Sequence, residues 1–237
     1  MNFYIGLHHP ADARHFPRAC ISIRTLHRRV KPIDCAEILL DSGAFTELNL
    51  HGRYRTQPEE YAVELWRLHK EGVLNIGAAV AQDYMCEPFI LKKTGLSVAE
   101  HQRLTIDRYD RLLPHAPPFH IMPVLQGYTP AEYVSHVRQY GRRLTRSMWV
   151  GVGSVCKRNS NPQQIVDVLS AIHTARPDLR LHGFGIKKTA LKNPLIHWLL
   201  HSADSMAWSF HARKNGRDAN GPGEALKFAN EIGALFA

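Results

Sequence analysis

Cysteine is scarce, with Cys20, Cys35, Cys86 and Cys156 the only four in 237 residues, and no two of them form a CxxC pair. That spacing excludes a zinc ribbon or a dithiol redox motif and predicts reduced, mostly buried thiols. Long apolar runs are missing too. None approaches the ~18 residues that a membrane span needs, and the N-terminus, MNFYIGLHHPADARHF, lacks the basic-then-apolar layout of a secretory signal. A cytoplasmic protein with no membrane partner is expected. Fifteen histidines include no HExxH, and His8-His9 are adjacent rather than four apart, so a zinc protease is excluded and neither metal nor cofactor is expected. No linker rich in Pro, Gly and Ser divides the chain, and residues 1–237 are expected to form a single domain. Acidic residues are also short in number: 21 Asp and Glu against 30 Lys and Arg leave a net charge of +9. Such a balance is the footprint of a protein that meets a polyanion, a soluble enzyme that happens to be basic being the alternative.

What is present is an alternation of short β-rich runs with segments of helical period. Strands are expected near Phe3–Leu7, Cys20–Thr25, Glu37–Asp41, Asn75–Asp83, His120–Gln126, Met148–Gly153, Leu181–Ile186 and Ser202–Trp208. Helices are expected over Gln57–Glu71, over Ser97–Leu113 behind the capping pattern Ser97-x-x-Glu100, after Thr129-Pro130, Asn161-Pro162 and Asn193-Pro194, and over Glu224–Phe236. Parallel βα units leave a doubly wound open sheet or a closed (β/α)8 TIM-type barrel. Eight strands favour the barrel. Neither a GxGxxG nor a Walker loop follows the first strand, and Gly151-Val-Gly153 and Gly183-Phe-Gly185 are only partial matches.

In a barrel the C-terminal strand ends converge on one mouth. Asp41, Asp83 and Asp204 occupy such ends, and an aspartate closing an apolar strand is costly to bury without a purpose. Singly, each could equally be a helix cap or a loop hydrogen bond; together they suggest glycosidic-bond chemistry, with one carboxylate attacking the anomeric carbon and another managing the proton of the leaving group. The other strand tips, Gln126-Gly127, Gly151-Val-Gly153-Ser154 and Gly183-Phe-Gly185, offer an amide and backbone groups suited to a flat heterocycle. Phe45 is placed to stack on such a ring or to pack in the core beside a glycine turn.

DSGAF (41–45), QDYMC (82–86), PVLQG (123–127), VGVGS (150–154), HGFGI (182–186) and ADSMAW (203–208), in that order, resemble the strand-end motifs of the tRNA-guanine transglycosylase superfamily over nearly the whole chain. ISIRTLHRR (21–29), VCKR (155–158) and the DSxxW pattern followed by Arg213 resemble its DpdA branch, which modifies DNA with deazapurines. The resemblance implies exchange of guanine in a nucleic acid for a 7-deazaguanine such as the 7-cyano form, through a covalent glycosyl-enzyme. It implies Asp204 as nucleophile and Asp41 as the proton-handling group. It implies Ser42, Gly43, Phe45, Asp83, Gln126, Gly127, Gly151, Gly153, Ser154, Gly185 and Trp208 around the base and sugar. The transfer RNA enzymes place an aspartate a few residues further along the last strand, where Ala207 and Trp208 stand here. They also carry a zinc subdomain of three cysteines and a histidine. This chain has no cysteine after Cys156, so the zinc subdomain is expected to be absent and DNA rather than transfer RNA to be the polymer.

Basic residues flank the motif loops. Lys157, Arg158, Lys187, Lys188 and Arg213 are expected to meet phosphate, while Arg142-Arg143 faces away from the mouth. A guanine inside a duplex hides its glycosidic bond, so the target must be unpaired or flipped, and helper proteins of a DNA modification system are conceivable partners. Three other readings stand beside DNA base exchange: the same chemistry on RNA, a catalytically silent nucleic-acid-binding paralogue, and a conventional glycoside hydrolase. The last would want tryptophans at the mouth, where only Trp208 of the four is placed.

Overall fold

The computed structural model describes residues 1–235. Phe236, the expected end of the last helix, lies outside them. Nine parallel strand segments, β1 (Asn2–Gly6), β2 (Arg18–Ser22), β3 (Glu37–Asp41), β4 (Ile76–Val80), β5 (His120–Met122), β6 (Val124–Leu125), β7 (Trp149–Val152), β8 (Arg180–Gly183) and β9 (Leu200–Ser205), form one sheet in the order β5-β4-β3-β2-β1-β9-β8-β7-β6. The two ends of that order, β5 and β6, are separated only by Pro123. They are halves of one passage, which closes the sheet into the barrel expected from eight strands. Proline has no N–H to give a ladder, and at this residue the passage changes partners: the Met122 carbonyl accepts from Ala81 N on the β4 side (3.0 Å), the Pro123 carbonyl from Gly151 N on the β7 side (2.9 Å).

Strand alternation sorts side chains into two layers. Tyr4, Cys20, Leu39, Ala78, Val80, Met122 and Val124 fill the barrel interior, with Trp149 and Phe184 packed on them. Their neighbours Ile5, Ala19, Ile21, Ile38, Leu40, Ala79, Val150 and Leu181 face outward into a second core shared with the helices. Helix Pro58–Lys70 delivers Tyr61, Leu65 and Leu68 to it, and helix Pro162–Ala175 delivers Ile165, Leu169 and Ile172. Each large apolar side chain so buried contributes about 1.5–3 kcal/mol. The predicted starts are realised: Ser97 with Glu100 and Thr129 with Glu132 form reciprocal capping boxes, and Pro130, Pro162 and Pro194 open their helices.

Four strands stop three residues short of expectation, β2 at Ser22, β4 at Val80, β8 at Gly183 and β9 at Ser205. At the last of these the Ser205 hydroxyl accepts from Ala207 N (3.2 Å) and turns the chain into helix Ala207–Lys214. The first two connections carry only the 3-10 turns Pro10–His15 and Ile23–Thr25 in place of helices. The outer face of β1 is covered from the other end of the chain by helix Pro222–Gly233, with Phe228 edge-on to Phe3 at 6.1 Å. Among the described residues no helix is long and apolar enough to cross a membrane.

Candidate active site

The C-terminal strand ends enclose a cavity of about 510 Å³. Asp41, Asp83 and Asp204 all line it, with Gln126 hydrogen-bonded to Asp83 and Phe45, Phe184, Met85 and Met206 as apolar walls. The three carboxylates arrive on β3, just past β4, and on β9.

Asp204 is held through one oxygen. Its Oδ1 accepts from Gly185 N at 3.0 Å and faces His182 Nε2 at 3.3 Å, whereas Oδ2 has no hydrogen-bond partner among the described residues. His182 is fully buried, its Nδ1 is 2.9 Å from Ser202 Oγ, and that oxygen accepts the Trp149 indole N–H at 2.7 Å. An ionised carboxylate only accepts, so a neutral His182 carries its proton on Nε2 and receives the Ser202 proton at Nδ1. The chain Trp149→Ser202→His182→Asp204 donates in one direction and ends on the carboxylate.

Asp41 closes an Asx turn, its Oδ2 accepting from Gly43 N at 3.0 Å, and Gly43 takes the left-handed φ of 79° that the turn into helix Ala44–His51 requires. Burial raises its carboxyl to about 6; the Asp204 charge adds to the rise, while Gly43 and Ser22 oppose it. Asp83 is raised further, to about 7, by burial first and then by the Asp41 charge, against the donation from Gln126 Nε2 to its Oδ2. Like charges meeting away from water cannot all ionise easily, which is how a group exchanging protons near neutrality is made.

Sequence reasoning missed a second polar chain, which starts at Glu87. Its carboxyl is buried and its proton affinity raised, chiefly by burial. Glu87 Oε2 lies 2.8 Å from Ser154 Oγ, which also accepts from Cys86 N (2.8 Å) and lies 2.7 Å from Gln126 Oε1. One hydroxyl proton cannot serve both Glu87 and Gln126. A protonated Glu87 resolves this by donating to Ser154, leaving Ser154 to donate to Gln126 Oε1 and Gln126 Nε2 to donate to Asp83. The carboxamide orientation is thereby set. Glu87 stands before Pro88 at the N-cap position of helix Pro88–Thr94, but its side chain makes no cap bond. Tyr54, also missed, clamps the backbone of Asp83, its hydroxyl donating to the carbonyl and accepting from the N–H, each at 3.1 Å.

The remaining expected site residues divide. Gly43, Phe45, Gln126, Gly153, Ser154 and Gly185 line the cavity. Gly153 and Gly151 serve by leaving room rather than by offering backbone groups: a Cβ at Gly153 would fall 2.1 Å from Gln126 Nε2, and one at Gly151 2.4 Å from Phe184 Cε2. Four residues expected at the base and sugar lie elsewhere. Ser42 faces Tyr54 Oη at 3.3 Å in a neighbouring cleft, Gly127 packs under helix Pro130–Tyr140, Gly151 sits beneath Phe184, and Trp208 is buried with its indole donating to the Gly6 carbonyl at 2.8 Å.

Of the expected phosphate ligands, Lys157 stands at the rim, 5.9 and 5.8 Å from the rings of Phe45 and Phe89. Arg158 is turned inward, donating to the Ser154 and Tyr128 carbonyls and lying over the Tyr128 ring at 4.5 Å. Lys187 and Lys188 line an adjoining cavity, Lys188 on Glu231 at 2.5 Å, and Arg213 is exposed on helix Ala207–Lys214. Among the described residues no group of three His, Cys, Asp or Glu is arranged to hold a metal ion.

A family model described as DpdA, DeoxyPurine in DNA protein A, matches residues 1–229. No curated protein matches the chain.

Proposed function

The chain belongs to the DpdA family, a family of deazapurine DNA modification, and from that premise we propose that it exchanges guanine in DNA for a 7-deazaguanine, such as the 7-cyano form, through a covalent glycosyl-enzyme. The observation that carries the reading is the meeting of three carboxylates in one apolar-walled cavity, with Asp204 held on Oδ1 by Gly185 N and His182 while its Oδ2 has no hydrogen-bond partner among the described residues.

In the first half-reaction Asp204 Oδ2 bonds to C1′ of the target nucleotide as the C1′–N9 bond breaks, and its electron pair departs with the base. Asp41, whose carboxyl exchanges protons near pH 6, gives its proton to a ring nitrogen of the leaving guanine. In the second half the 7-deazaguanine enters, Asp41 takes the proton from N9, N9 bonds to C1′ and the ester to Asp204 breaks. Two inversions preserve the configuration at the sugar, and one proton given is matched by one taken. Asp83 accepts from the N–H groups on the edge of the base, a task for which Gln126 holds it. Phe45, Phe184, Met85 and Met206 keep water from completing a hydrolysis. The target base must leave its stack to reach Asp204, at a cost of a few kcal/mol.

Incubation with guanine-containing DNA and labelled 7-cyano-7-deazaguanine tests the reading. Label retained in DNA, and a denaturant-stable protein–DNA adduct formed by the wild type but not by Asp204→Asn, are the expected results. Retention in RNA alone would transfer the chemistry to the other polymer. Salt-sensitive binding with neither adduct nor label would overturn the reading in favour of a silent binding paralogue.

A further inference from the structure

We infer that the cavity beside the site, walled by Phe210 and Lys187, receives the base of the nucleotide next to the exchanged guanine, an inference that rests on the DNA exchange reading above. This second cavity, about 580 Å³, is lined by Lys187, Lys188, Ala207, Trp208, Phe210 and Phe228 among others, within the range of about 300–1,000 Å³ usual for ligand sites. Two chain segments lead from one cavity into the other. Gly185 and Met206 line the first, and two residues or one residue later Lys187 and Ala207 line the second. The nucleophile strand therefore runs directly into the wall of the neighbouring cavity.

Phe210 is 65 % exposed, one turn into the helix that follows Asp204. Burying such a ring is worth about 1.5–3 kcal/mol, and nothing in the described chain collects that gain. Lys187 Nζ lies 5.7 Å from the centre of the ring. The charges sort around this pair. Lys188 is paired with Glu231, and Arg217 and Lys227 share Glu224, whereas Lys187 and, on the helix of Phe210, Arg213 and Lys214 have no carboxylate partner among the described residues. An open aromatic face with an unpaired ammonium group beside it suits a nucleobase and its phosphate, the combination by which single strands are held whatever their sequence.

The opposite rim repeats it. There Lys157 stands over Phe45 and Phe89, which are 47 % and 41 % exposed. Asp204 shares its strand end with one aromatic–lysine pair, and Asp41 and Asp83 share theirs with the aromatics of the other across the ring, so a strand crossing the mouth stacks on one, delivers its guanine, and stacks on the other. At least one neighbour of the target must therefore be unpaired with it, which makes single-stranded or opened DNA the preferred form.

The test uses the full chain and a fluorescent single-stranded DNA 12-mer with one guanine, together with versions abasic immediately 5′ or immediately 3′ of that guanine. Binding is read by anisotropy, and exchange by labelled 7-cyano-7-deazaguanine in parallel. Phe210→Ala is expected to weaken binding of the intact strand about 5- to 150-fold, the equivalent of the roughly 1–3 kcal/mol of one stacked base. That penalty is expected to vanish for one of the two abasic strands only, and Phe210→Trp to bind like the wild type. An unchanged melting temperature for the exposed-site variant excludes unfolding. Wild-type affinity in Phe210→Ala, or a penalty that persists on both abasic strands, overturns the subsite while leaving exchange by the wild type intact. Absence of exchange in the wild type with the abasic coupling preserved instead overturns the exchange reading and leaves the subsite standing.

Discussion

At the scale of single residues, the site is governed by where protons sit. Asp83 has its carboxyl lifted from the ordinary 3.8 to about 7 by burial. The folded chain thus keeps a proton that the unfolded chain has released, and stability falls as pH climbs from about 4 to about 7 and stays reduced above that. Asp83→Asn does not titrate and still accepts from Gln126. Its melting temperature is expected to exceed that of the wild type at pH 8, on the order of 10 °C at about 2–4 °C per kcal/mol, and to match it near pH 4, as read by differential scanning calorimetry. The same variant is expected to lose affinity for the free deazaguanine, because a carboxylate that accepts from the base edge is gone. Glu87 gives a separable prediction. If its proton orders Ser154, Glu87→Gln can donate in its place and should keep base affinity within about threefold. Glu87→Ala leaves Ser154 and Gln126 unset and should weaken it about tenfold, in line with the roughly 1–3 kcal/mol of an unsatisfied buried polar group; isothermal titration with the base measures both.

The elements show why certain glycines stand where they do. Gly153→Ala would drive a methyl into Gln126 and detach it from Asp83, and Gly151→Ala would push Phe184 up into the cavity. Both are expected to weaken base binding at least tenfold while the far-ultraviolet circular dichroism stays that of the wild type; preserved affinity in Gly153→Ala would show that the Gln126–Asp83 contact is dispensable. This duty is invisible in the sequence, where VGVGS shows glycines but not the carboxamide folded over them from another strand. Helices announced by a cap, at Ser97, Thr129 and Asn193, were legible because the signal is local. Helix Ala44–His51 and helix Ala207–Lys214 were not, since both begin on the turn that ends a strand motif and carry no cap side-chain bond. Asp41, Asp83, Asp204 and Gln126 were readable as strand-end polar residues, and the cavity brings all four together. His182, Glu87 and Tyr54 act through partners 20 to 67 positions away along the chain, which no spacing rule reveals.

Over the molecule as a whole, net charge and its pairing decide how a strand is met. Of the thirty basic side chains, those engaged within the fold contribute to its stability rather than to phosphate contact. Each free contact to single-stranded DNA steepens the dependence of log affinity on log salt by about 0.7. Lys157→Ala and Lys187→Ala are each expected to flatten that slope by about this amount, whereas Arg158→Ala, removing an inward guanidinium, should lower the melting temperature and leave the slope alone; a salt titration distinguishes them. The barrel was legible from eight strand-like runs, but its closure at Pro123 and the helix from the far end laid over β1 were not, because pairing between distant segments leaves no local mark. That pairing shapes the birth of the protein. β1 lies between β2 and β9, so within the ring β1 waits for β9, and contacts this remote in sequence form slowly. Since Asp204, the proposed nucleophile, rides on β9, a chain truncated before that strand has neither the closed ring nor this carboxylate, and no base exchange is expected of it.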